Sequence, residues 1–119
     1  MSGKTWEYAV KKMLKADFGT EAVFKLINFH HIDFIVIHTA IRDGSEYLGV
    51  ALVEAKSTKQ SIFYPLDEAK FRAQWENYFI MKDILDRMGL VTTVWLYLKK
   101  PDGIRKISFN SYADIAVKY

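Results

Sequence analysis

Over residues 3–16 the apolar side chains of Trp6, Val10, Met13 and Leu14 recur at helical spacing, and Phe18-Gly19 supplies a stop signal behind them. An amphipathic helix is predicted, with Lys4, Lys11 and Lys15 in one polar row and Glu7 on nearly the same line. The period then shortens. Residues 21–28 (EAVFKLIN) and 33–41 (DFIVIHTAI) are strand-like runs, Asp43-Gly44 is a strong hairpin signal, and residues 47–56 form the return strand. A loop ending at Pro65 leads into a second helical pattern over about residues 66–88, closed by Gly89. Its stripe runs through Phe71, Gln74, Tyr78, Met81, Leu85 and Met88, apolar except for Gln74 near its start. Residues 91–98 (VTTVWLYL) read as another strand, Pro101-Asp102-Gly103 as a turn, 104–109 as an edge strand and 111–119 as a short helix. The order α, β, β, β, α, β, β predicts an α/β fold, a mixed central sheet flanked by helices.

Composition narrows the class. At 119 residues, half of them hydrophobic and without a linker or repeat, the chain is expected to form a single domain over 1–119 around one core. The lack of cysteine excludes disulfides, thiolate nucleophiles and cysteine-ligated zinc, so any metal must be held by oxygen or imidazole. No run approaches the roughly 18 apolar residues of a membrane span, which makes a cytoplasmic protein the expectation. A net charge of +3 is compatible with a nucleic-acid partner.

The chemistry lies in the stretch VALVEAKST, residues 50–58, where Glu54 and Lys56 break an apolar run. A two-residue turn at Asp43-Gly44 places Asp33 opposite Glu54, with Lys56 two positions further along on the same face. Two carboxylates roughly 5 Å apart at their Cβ atoms repel and destabilise a sheet unless something compensates. A divalent cation does so, and a lysine beside it can hold an attacking water or stabilise charge at phosphorus. The chemistry this implies is metal-assisted phosphodiester hydrolysis. The bland alternative is a structural cluster in which Lys56 alone neutralises the two acids. Gln74, an amide in a core-facing stripe, needs a partner, as does the hydroxyl of Tyr78 one turn later.

Taken together, Asp33, the sequence Glu54-Ala55-Lys56 and the QWENY segment from Gln74 to Tyr78 resemble the PD-(D/E)XK nuclease superfamily. That resemblance covers about residues 5–98 and implies a restriction-endonuclease-like αβββαβ core. Ile32 stands where the superfamily often has proline. It implies that Asp33, Glu54 and the carbonyl of Ala55 ligate Mg²⁺ or Mn²⁺, with Glu7 as a further ligand, directly or through water. Lys56 would activate the water, Gln74 would position the lysine or contact DNA, and Tyr78 would support it. The implied activity is a metal-dependent DNA endonuclease. One version is a homodimer cutting branched DNA, as in archaeal and viral Holliday junction resolvases. The alternatives are a RecB-like nuclease acting on single strands or ends, and an inactive DNA-binding module of the same fold. Lys4, Lys11, Lys12, Lys15, Lys59, Lys70 and Arg72 frame the expected site as phosphate contacts. His30 and His31 precede Asp33, and for them a metal-ligand role ranks below a DNA-phosphate or solvent-facing one; His38 falls on the opposite face.

Overall fold

The computed structural model describes residues 2–25, 32–67 and 69–119. Helix α1 spans Ser2–Phe18 and is followed by a 3-10 turn at Thr20–Ala22. Strands β1 (Val23–Lys25), β2 (Phe34–Arg42) and β3 (Ser45–Ser57) come next. Helix α2 (Ala69–Arg87), strands β4 (Val91–Lys100) and β5 (Gly103–Phe109) and a 3-10 helix at Tyr112–Ala116 complete the chain. The five strands lie side by side in chain order, with β3 and β4 parallel and every other pair antiparallel. The parallel pair needs a crossover, and α2 provides it. The fold is a mixed sheet flanked by two helices, the α/β architecture read from the sequence.

Each helix covers one face because the strand residues alternate. On one side Trp6, Val10 and Leu14 of α1 pack on Val23, Phe34, Val36, Ala51, Val53 and Tyr97. On the other, Trp75 and Tyr78 of α2 pack with Leu52, Val94, Leu96, Leu98 and Phe109. β3 is therefore buried on both faces from Val50 to Glu54, which is why its sequence is a continuous apolar run rather than an alternating one. The hairpin turn carries φ of 52° at Asp43 and 78° at Gly44, the left-handed pair that a two-residue turn with matching strand twist requires. It sets the predicted register, with Phe34 opposite Val53 and Arg42 opposite Ser45. Helix α2 ends in a Schellman motif: Leu90 N–H donates to Leu85 C=O and Gly89 N–H to Asp86 C=O, both at 3.1 Å, with Gly89 at φ 90°.

Several boundaries differ from the sequence reading. The first strand is shorter than residues 21–28, because a 3-10 turn takes its start, and positions 26–31 lie outside the described residues. In α2 the predicted stripe found the fully buried Tyr78 but passed over Trp75, the largest fully buried side chain of the helix, and Met88, just past its end, is 72% exposed. Trp75 owes its place to its indole N–H, which donates to Pro65 C=O at 2.9 Å and ties the preceding loop to the helix. The short C-terminal helix is capped by Ser111 and Asp114, and Tyr119 exchanges two backbone hydrogen bonds with Phe63 at 2.8 and 2.6 Å.

Candidate active site

The β2–β3 register carries Asp33, one residue before β2, to the side of Glu54 that faces α2. Asp33 Oδ2 accepts from the Ala55 N–H at 2.8 Å, so the side chain is fastened to the strand that bears Glu54. Glu54 is 1% exposed. Its carboxyl receives the Gln74 amide at 3.1 Å on each oxygen, lies 2.7 Å from the Tyr78 hydroxyl, and has Lys56 Nζ at 3.1 Å from Oε2. Asp33, Glu54, Lys56, Gln74 and Tyr78 thus form one constellation. The partners that Gln74 and Tyr78 needed as buried polar groups are Glu54 and its neighbours.

Tyr78 ties the constellation together from α2. Its oxygen lies 2.9 Å from Val53 C=O, 2.7 Å from Glu54 Oε1 and 3.2 Å from the Asp33 N–H. A phenol has one proton to give, and Val53 C=O can only accept. The hydroxyl accepts from the Asp33 N–H and stands within donating distance of both Val53 C=O and Glu54 Oε1, so its one proton is shared between two acceptors. Burial first and the Asp33 charge second push Glu54 up to about 8, against the pull of Lys56 and of the Tyr78 hydroxyl that donates to it. Asp33 is also raised, chiefly by burial, with the Ala55 N–H opposing and the Glu7 charge adding to the rise. Tyr78 is raised well above its ordinary range by burial and by the two acids.

Glu7 sits apart from this pair. Its carboxylate forms an ion pair with Lys25 of β1, and it reaches Asp33 through its field. Among the described residues no three carboxylates or histidines gather as a metal-holding group. The donor set is therefore two carboxylates, with the Ala55 backbone beside them. That set fits Mg²⁺, which takes one or two carboxylates and fills its octahedron with water and phosphate oxygens, better than a cation needing an all-protein cage.

The expected phosphate contacts divide. Lys4 and Lys11 line a cavity of about 350 Å³ together with Glu7, Tyr8 and Lys25. Lys59 lines a second one of about 630 Å³ with Ser57, Thr58, Lys99, Lys100 and Pro101, at the ends of β3 and β4. Arg72 is exposed on α2, whereas the side chain of Lys70 and both His30 and His31 lie outside the described residues. His38 faces α1, stacked on Trp95 with ring centroids 5.7 Å apart, on the side of the sheet away from Asp33. Sequence reasoning missed Lys25, Tyr8, Lys99 and Lys100. Strand alternation in β1 could have found Lys25, since Val23 and Lys25 share a face and Val23 is core.

No protein-family model matches this chain, and no curated protein matches it in sequence. Among solved structures, the crystal structure of SSO0001 is similar at 13% identity and a TM-score of 0.48, over 96% of this chain and 54% of that one. The chain spans about half the length of that protein.

Proposed function

We propose that this chain is a metal-dependent DNA endonuclease that hydrolyses phosphodiester bonds. The observation that carries the reading is the pairing of Asp33 with a Glu54 only 1% exposed, beside Lys56, at the ends of strands where both helices begin. Burying a second acid against the first is costly, and a fold that retains it has a use for two negative oxygens at one point. Mg²⁺ or Mn²⁺ held there by Asp33, Glu54 and the Ala55 carbonyl would supply charge neutralisation and an acidified water. Lys56 would orient that water and meet the charge that builds on the phosphate. Gln74 holds the Glu54 carboxyl in place from α2, and Tyr78 fixes the backbone of Asp33 and Val53 around it. The homodimer belongs to the junction-cutting version of this reading, in which two strands are cut symmetrically.

A second reading is favoured by the crowding of donors on Glu54: Gln74, Tyr78 and Lys56 would equally satisfy a structural carboxyl in an inactive DNA-binding module. Cleavage separates the two. Purified protein incubated with four-way junctions, flaps, single strands and duplex is expected to cut at least one of them with Mg²⁺ and none with EDTA. Lys56→Ala is expected to slow the reaction by roughly 100- to 1,000-fold, and Glu54→Ala to abolish it. Absence of cleavage of every substrate, with no metal bound by calorimetry, would falsify the enzyme reading.

A further inference from the structure

Tyr8 is a large aromatic side chain that joins neither core, with 60% of its surface exposed. It stands on α1 between Lys4, one turn before it, and Lys11, one turn after it, and all three line the cavity of about 350 Å³, whose other walls among the described residues are Glu7 and Lys25. Lys12 Nζ lies 4.7 Å from the ring centroid and is not among the lining residues, so one face of the ring is covered by a cation from outside the cavity. Glu7 is tied to Lys25, whose Nζ also lies 5.0 Å over the Phe34 ring. Phe34 adjoins Asp33 in the chain, and the Glu7 charge is felt at Asp33. The cavity lies on the α1 side of the sheet, with Glu7 in its wall near enough for its charge to act on Asp33.

We infer that this cavity binds an unpaired nucleotide of the DNA substrate, its base stacked on Tyr8 and its flanking phosphates held by Lys4 and Lys11. The inference rests on the nuclease reading and decides within it for substrates that carry a single-stranded segment beside the cut. The chemistry follows from the residue types. A ring wall flanked by lysines is the arrangement that binds single strands without reading sequence, since every base has a face to stack and every linkage a charge. Bases of an intact duplex are stacked on each other and cannot offer that face to a side chain on a helix surface. The volume lies at the lower end of the range of small-ligand pockets, so it suits one nucleoside rather than a length of duplex.

The test is binding of a fluorescent oligo-dT and of a duplex of equal length in EDTA, where no cleavage is expected, read by anisotropy at two salt concentrations. Wild type is expected to prefer the single strand. Tyr8→Ala should lose about tenfold on the single strand and leave the duplex unchanged, and Tyr8→Phe should bind as wild type. Lys4→Ala with Lys11→Ala should lower the salt slope for the single strand by about 1.4. Single-strand affinity unaltered in Tyr8→Ala overturns the inference and leaves the nuclease reading standing. Failure of the wild type to bind either form, with cleavage also absent, overturns both. Circular dichroism of Tyr8→Ala checks the fold, which an exposed helix position replaced by alanine should preserve.

Discussion

Glu54 is the residue on which the site turns, and its proton has a consequence for stability. In the unfolded chain it titrates near its ordinary value of 4.5, whereas in the fold burial and the Asp33 charge raise it to about 8. Between those values the folded chain holds a proton that the unfolded chain has released, so stability falls as pH rises through that window. The loss at the alkaline end is on the order of a few kcal/mol. Glu54→Gln keeps the shape and a hydrogen-bonding amide but has no proton to lose. In EDTA, its urea midpoint is expected to match wild type near pH 5 and to exceed it near pH 8.5. Parallel midpoint curves for the two proteins would show that Glu54 does not titrate in this window. The identity of these residues was legible in the sequence, because Asp33, Glu54 and Lys56 are brought together by counting through one turn. Their protonation was not, since it depends on how deeply Glu54 is buried under a helix whose rotation the sequence leaves open. The same freedom hid Trp75: a stripe through Gln74 and Tyr78 is only one turn-fraction from a stripe centred on Trp75.

At the scale of elements, the β2–β3 hairpin was the most legible part of the fold, and it is also where a single backbone hydrogen matters most. Gly49 lies opposite His38 in the register. A Cβ at Gly49 would come within 2.6 Å of the His38 ring, which cannot swing away because Trp95 and Phe18 flank it at centroid distances of 5.7 and 5.8 Å. Gly49→Ala is therefore expected to destabilise the protein by about 1–3 kcal/mol, the range of overpacking strain. Combining it with His38→Ala should cost less than the sum of the two single changes, because the ring that clashes is gone. Additive urea-denaturation values would place the cost elsewhere. β2 and β4 were found by their β-branched runs, and β3 by the Asp43-Gly44 turn that makes it the return strand, since its own residues are a continuous apolar run. The strand-like pattern began β1 too early, because a 3-10 turn at Thr20–Ala22 takes residues 21 and 22, and among the described residues Val23–Lys25 pair with β2. The C-terminal 3-10 helix carries few apolar repeats, and the Phe63–Tyr119 hydrogen bonds join segments far apart in the chain.

Across the whole molecule, charge is arranged rather than abundant. Trp6 donates its indole N–H to Tyr97 C=O and lies under Lys99, while Phe18 packs near Trp95, so α1 runs opposite to β4 and starts at the end of the sheet where β3 and β4 finish. Helix α2 starts there too, with Gln74 on Glu54. Lys4, Lys11 and Lys25 gather on one side of that end and Lys59, Lys99 and Lys100 on the other. The hairpin turn and the close of α2, with Arg42 and Arg87, occupy the opposite end. A net charge of +3 spread evenly would attract a polyanion only weakly, so nucleic-acid binding must draw on this local arrangement. Two double variants that remove the same charge distinguish location from total. Lys99→Ala with Lys100→Ala is expected to reduce the salt slope of single-strand binding by about 1.4, the loss of two phosphate contacts, and to weaken all sequences alike. Arg42→Ala with Arg87→Ala should leave slope and affinity at wild-type values. If both pairs shift binding equally, attraction follows total charge, and the lysines beside β3 and β4 hold no phosphate.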